Sequence, residues 1–192
     1  MKRSHKVAVA ATVAGALVLA GGAVAVAQNL SGAAAAQPAQ TPPWVVTSVN
    51  IPPQLAVPAG QKLVATMDVE HGSQVYTCTN GAYTLLEPAA VLRSGGTLVL
   101  HTRGPEWVSA NDGSAVVGAV AASAPRPGAV PELLLKSTAN RGSGLLGKVD
   151  FVQRLETVGG VAPSGTCTDG VQVAVPYHAQ YRFYVPVNGN KS

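Results

Sequence analysis

Leu63-Val64-Ala65-Thr66-Met67-Asp68-Val69-Glu70 and, near the other end of the chain, Tyr177-His178-Ala179-Gln180-Tyr181-Arg182-Phe183-Tyr184-Val185 decide the fold class. In the first stretch Leu63, Ala65, Met67 and Val69 alternate with Val64, Thr66, Asp68 and Glu70. In the second, Tyr177, Ala179, Tyr181, Phe183 and Val185 alternate with His178, Gln180, Arg182 and Tyr184. Successive side chains of a strand point to opposite faces, so this period of two predicts strands whose apolar set faces a core. His71-Gly72 reads as a turn, after which Gln74 to Thr79 runs back. A third alternation sets Val149, Phe151 and Leu155 against Asp150, Arg154 and Glu156, which would place the charged set in solvent. Apolar runs at Thr97 to Leu100, Ala115 to Ala122 and Leu133 to Leu135 are each bounded by Gly, Pro, Asn or Ser. The 21 Gly and 14 Pro leave no long helical window beyond the N-terminal segment, and only Pro88 to Leu92 suits a brief helical turn. The expectation is an all-β chain: a single-domain antiparallel β-sandwich or barrel with at most one or two short helical turns.

The 192 residues, 47% hydrophobic and 11% charged, suffice for one domain with a core. The formal charge of +4 is concentrated at the start, in Lys2, Arg3 and Lys6; without them ten basic residues face nine acidic ones, leaving +1. No Lys/Arg cluster occurs elsewhere, which argues against nucleic acid as a partner. Met1 to Lys6 is a cationic n-region, Val7 to about Leu19 an apolar stretch, and Ala25-Val26-Ala27 a small-x-small cleavage pattern, so residues 1–27 read as a secretory signal peptide. The alternative is an uncleaved anchor, although the Ala and Gly of this run insert poorly compared with Leu, Ile or Phe. Residues 28–43 are an aperiodic spacer rich in Ala, Gln and Pro, and the domain is expected over 44–192. The location implied is secreted, extracellular or in the cell envelope, with no membrane contact after signal cleavage.

Cys78 and Cys167 are the only cysteines, and an oxidising compartment would join them. Closing that loop would restrict the unfolded chain by ~4.5 kcal/mol in the chain-entropy model. A metal or nucleophilic role is the weaker reading, because two lone cysteines lack the paired spacing of zinc sites. His71, His101 and His178 are too scattered in sequence to imply a metal, and no cofactor is implied. Gly142-Ser143-Gly144-Leu145-Leu146-Gly147 matches G-x-G-x-x-G but precedes a strand pattern instead of the helix that a dinucleotide site needs. Asp68 and Glu70 share a strand face and read as solvated surface in preference to an acid/base pair.

The segment His101 to Ser114 stands apart. His101 and Arg103 leave an apolar strand into a Gly104-Pro105 bend that delivers Trp107, and Asn111-Asp112-Gly113-Ser114 turns the chain back. Loops presenting aromatic, cationic and amide groups at the end of a rigid sheet are how such folds build ligand sites. His101, Arg103, Trp107, Asn111 and Asp112 are therefore the candidate binding residues, for an extracellular small molecule or glycan. The competing reading has Trp107 capping the core and His101 making a local hydrogen bond. Two further functions are weighed: a secreted enzyme using His101 as general acid or base with Asp112 or Glu106 as its orienter, and a ligand-free structural protein of the cell envelope. Oligomeric state is not legible.

The order Gln74-Val75-Tyr76-Thr77-Cys78, His101-x-x-Gly104-Pro105-x-Trp107, Gly113-Ser114, Pro131-x-Leu133-Leu134-Leu135, Val152-Gln153-Arg154-x-x-Thr157-x-Gly159-Gly160-x-Ala162-Pro163-x-x-x-Cys167 and Val175-Pro176-Tyr177-x-Ala179-x-Tyr181-x-Phe183-Tyr184 resembles the DUF3455 family. The resemblance implies a secreted protein with a single β-rich domain and supplies no reaction. The chain departs from the family pattern at Glu132, where Pro-Trp-Leu-Leu-Leu would place a Trp.

Overall fold

The alternating segments form eight strands: β1 (Gln61–Thr79), β2 (Ala82–Ser94), β3 (Thr97–Thr102), β4 (Glu106–Ser109), β5 (Ala115–Ala124), β6 (Glu132–Arg141), β7 (Phe151–Gly159) and β8 (Gln172–Pro186). Each pairs antiparallel with the next, and β8 pairs back onto β1, closing a barrel; this decides between the sandwich and barrel alternatives. Closure leaves no exposed sheet edge along the β1–β8 seam. The computed structural model describes residues 49–187, so the expected signal peptide, the expected spacer and the expected domain start near Trp44 lie outside the described residues.

Two expectations about local structure are corrected. Pro88 to Leu92 is part of β2, not a helical turn, and the one helical element among the described residues is the 3-10 turn Pro53–Leu55. Buried Pro88, Ala90 and Leu92 alternate with Ala89 and Val91, and pairing on both sides outweighs the helix preference of Ala. His71-Gly72 does not reverse the chain either. β1 runs through it, with register irregularities at Val69/His71 against β2 and Asp68/Ser73 against β8. The bulge switches the inward set from Met67 and Val69 to Gln74, Tyr76 and Cys78, so a phase change of the period-two pattern marks the spot. Gly72 sits on the bend, where a Cβ would lie 2.7 Å from Val69 Cγ1 and 2.9 Å from Ala90 Cβ.

The barrel interior is filled by Met67, Leu92, Val99, Trp107, Val152 and Phe183, among others, each worth about 1.5–3 kcal/mol when fully buried. A second cluster lies outside the barrel wall. There Leu55, packed with Val49, Ile51 and Val57, covers Leu134, Phe151 and Leu155. Gln153 belongs to this outer layer, donating from Nε2 to the Leu55 carbonyl at 2.6 Å and accepting from the Tyr184 hydroxyl at 2.8 Å. β7 is thus buried on both faces. Phe151, Gln153 and Leu155 point outward beneath the 49–57 segment, while Val152 and Arg154 point into the barrel. The expectation of a solvent-facing Asp150 and Arg154 is overturned: both are buried, and Asp150 accepts from Gln61 Nε2 at 2.8 Å.

The expected disulfide is present, joining Cys78 at the end of β1 to Cys167 in the β7–β8 connection across a Cα separation of 5.9 Å. Asp68 and Glu70 are exposed, and Glu70 pairs with Arg93 at 2.8 Å.

Candidate functional site: a cavity at one end of the barrel

β3 and β4 are joined by the three residues 103–105, and the turn needs the left-handed φ of 134° at Gly104, a conformation other residues rarely adopt. It sets His101 directly opposite Trp107 in the ladder, both pointing inward. Their rings stack with centroids 4.4 Å apart and planes within 3°, and Tyr181 from β8 meets both edge-on at 5.2 and 5.8 Å. Gly118 on β5 leaves room for the indole, since a Cβ there would stand 3.4 Å from Trp107 Cζ3. Trp107 and His101 are 1% and 2% exposed. The Gly-Pro bend therefore returns Trp107 to the core and does not hold it out in solvent.

His101 Nδ1 lies 2.9 Å from the Glu106 backbone carbonyl. Burial lowers the imidazole pKa to about 3, opposed by that hydrogen bond and reinforced by the positive charge of Arg154. A neutral ring whose Nδ1–H donates to a carbonyl keeps Nε2 as an acceptor. Neither carboxylate expected to orient His101 does so. Glu106 turns its carboxylate to Arg141, 3.7 Å away. Asp112 caps the turn at the opposite end of the barrel, accepting from the Ser114 backbone and hydroxyl and from the Leu145 amide. These bonds hold the Asp112 carboxyl well below the usual range, with the Leu145 bond the largest cause. Asn111 accepts from Leu98 N and donates to the Gly96 carbonyl, locking the β4–β5 turn to the β2–β3 turn. Asn111 and Asp112 are thus turn-building residues remote from His101 and Trp107. The Gly142 to Gly147 loop packs against Asp112, and β7 follows it with no intervening helix.

Around the stacked rings lies a cavity of about 360 Å³. Its walls are mostly apolar, including Leu86, Pro88, Pro105, Leu133 and Leu135, and the exposed Leu85 and Val120 stand at its rim. Arg103, the remaining candidate, is also at the rim, 62% exposed and 3.5 Å from Glu87. Of the five candidates, the structure brings His101, Arg103 and Trp107 to this cavity.

Arg154 and Gln74 also line it, and the sequence reading singles out neither. Arg154 is 9% exposed. Its Nε and Nη2 both donate to the Pro131 carbonyl, at 3.1 and 2.8 Å, beyond the point where β6–β7 ladder pairing stops at Leu133↔Arg154. It also hydrogen-bonds the Tyr181 hydroxyl, whose pKa burial raises against the opposing pull of the guanidinium. Among the described residues no carboxylate lies within ion-pair distance of Arg154. Gln74 is 1% exposed, and its Nε2 faces the Tyr177 hydroxyl outside ordinary hydrogen-bond geometry and meets no other acceptor among the described residues; Trp107 Nε1 has no partner there. Immediately after Arg154 the strand bulges, with Glu156 at a left-handed φ of 52°. Glu132 fixes that bulge from outside the cavity, accepting from the Glu156 amide at 2.7 Å and from Arg126 at 2.8 Å. Glu132, where the resemblance leads one to expect Trp, thus lies outside the cavity lining.

Residues 92–185 match the model of the DUF3455 family, described as a protein of unknown function. The match runs from late β2 to near the end of β8, so it includes His101, Trp107, Arg154 and Tyr181 but neither β1 nor Gln74. No curated protein and no solved structure matches the chain.

Proposed function

Starting from a chain whose residues 92–185 are DUF3455, a family described without an activity, we propose that the protein is a secreted binding module that holds a small, largely apolar ligand in the barrel cavity. The observation that carries this reading is the cavity itself: about 360 Å³, apolar-walled, with a few convergent polar groups at depth. Ligand sites are commonly built this way, and this volume lies at the small end of their range. The apolar walls favour a hydrophobic molecule over a glycan. A neutral His101 without a carboxylate partner gives general acid/base catalysis no support. Export is supported by the cationic-apolar start with Ala25-Val26-Ala27 and by the disulfide, which an oxidising compartment maintains. Among the described residues no helix is long and apolar enough to cross a membrane.

Thermal-shift and tryptophan-fluorescence titrations with aromatic and medium-chain aliphatic compounds, alongside short oligosaccharides, test the reading. Binding confined to the apolar set, and lost in the cavity-filling Leu133→Trp, is expected. Binding by oligosaccharides alone, or unchanged in Leu133→Trp, would refute it. For export, the intact mass of protein from culture medium should correspond to a chain starting at Gln28. A mass that still includes Met1 would favour the anchor reading.

A further inference from the structure

We propose that the ligand of this cavity is a small monocarboxylic acid, its carboxylate seated on Arg154 and its apolar part lying along Leu86, Leu133 and Leu135; the inference rests on the binding reading above.

A guanidinium carries five N–H donors. Two of those on Arg154 converge on the Pro131 carbonyl, and the Tyr181 hydroxyl takes a further hydrogen bond. Among the described residues the remaining donors meet no acceptor, and the side chain lines the cavity. A buried charge without a counter-ion is costly, and proteins ordinarily pair it. The carboxylate nearest the cavity, Glu87, stands at the rim and is drawn to Arg103. A second donor group in the lining, the buried Gln74 Nε2, carries two N–H bonds and faces only the Tyr177 hydroxyl, outside ordinary hydrogen-bond geometry. A ligand carboxylate beside Arg154 supplies the missing negative charge and an acceptor within reach of the Gln74 amide.

The charge balance selects a monoanion. His101 is neutral, Arg103 is paired with Glu87 at the rim, and among the described residues no lysine lines the cavity, so one positive charge, that of Arg154, faces the buried part of the ligand. A phosphate dianion would leave one charge unmatched at depth, whereas a planar carboxylate suits the fork of a guanidinium. The walls then accept an aryl or short alkyl tail.

The test uses matched pairs on the disulfide-intact protein at neutral pH: 3-phenylpropionate against 3-phenylpropan-1-ol, and octanoate against 1-octanol, by isothermal titration calorimetry. The acid of each pair should bind roughly ten- to a hundredfold more tightly, the range a charge-assisted hydrogen bond provides. Arg154→Met should bring acid and alcohol to similar affinity, and Gln74→Leu should weaken the acid more than the alcohol. If Arg154→Met does not fold, the wild-type pairs and Gln74→Leu still decide. Equal affinity of acid and alcohol for the wild type overturns the acid inference while leaving the apolar cavity reading standing. An acid preference that survives in Arg154→Met overturns the role of Arg154. Failure of all four probes to bind overturns both readings.

Discussion

Acidification should unfold this protein partly through one histidine, because His101 cannot accept a proton without placing a second positive charge beside Arg154 in the barrel interior. Its pKa is about 3 in the folded state, against about 6.5 in an unfolded chain. Between those values the unfolded state binds more protons, so the neutral form stabilises the fold fully above about pH 6.5, and that stability is lost as pH falls toward 3. For one proton the loss is about 2 kcal/mol at pH 5 and about 3 kcal/mol at pH 4. Urea unfolding followed by tryptophan fluorescence, repeated from pH 7 to pH 4, measures it. His101→Phe keeps a flat ring on Trp107 and leaves the Glu106 carbonyl without its donor, a penalty that does not vary with pH in this window. The variant should start less stable at pH 7 and lose stability with a shallower slope, the two curves converging by about 2 kcal/mol at pH 5. The Asp112 carboxyl adds acid sensitivity of the same sign, but it is common to both proteins and cancels in the difference. Parallel curves would refute the reasoning, for they would mean that His101 titrates alike in both states.

Trp107→Ala should cost ~3–5 kcal/mol in urea midpoint analysis, the range for emptying a buried aromatic site; a loss below about 1 kcal/mol would mean that the indole is not held in the core. Gly72→Ala should destabilise by ~1–3 kcal/mol through overpacking against Val69 and Ala90, and a neutral result would show that the β1 bulge can shift to make room. Non-reducing peptide mapping should recover Cys78 and Cys167 as one cross-linked species, and Cys78→Ala should lower stability by ~2–5 kcal/mol. Two free thiols in the map would remove the bridge.

The strands that alternate between core and solvent were legible, as β8 and the first half of β1 show, because there the two faces differ in polarity. β7 defeats the same rule. Its outer face is covered by residues 49–57, so Phe151 and Leu155 are apolar although they point away from the barrel, and Arg154 is charged although it points inside. With both faces buried, polarity no longer reports direction. The loop 101–114 drew notice because it concentrates unusual residues, yet a barrel places its two ends at opposite poles. Asn111 and Asp112, only a few residues beyond Trp107, went to the far pole, while Arg154 and Gln74 came to the cavity from distant parts of the chain. The phase change at His71-Gly72 was visible as a break in alternation, and a turn and a bulge produce the same break.

The β1–β8 seam joins residues from opposite ends of the barrel segment, such as Thr77 with Gln172 and Gln61 with Pro186. The other seven seams pair consecutive strands, so the order of assembly is set by entropy: short hairpins first, the long closure last. Cys78 lies one residue beyond Thr77, and Cys167 lies five before Gln172. The bridge therefore lies beside the seam whose closure costs the most loop entropy. A chain already oxidised begins its search with the two closing strands tethered at one end, and it should reach the closed barrel faster than a reduced chain of the same final stability. The speed at which an exported chain becomes a closed container would then depend on how early its single bridge forms.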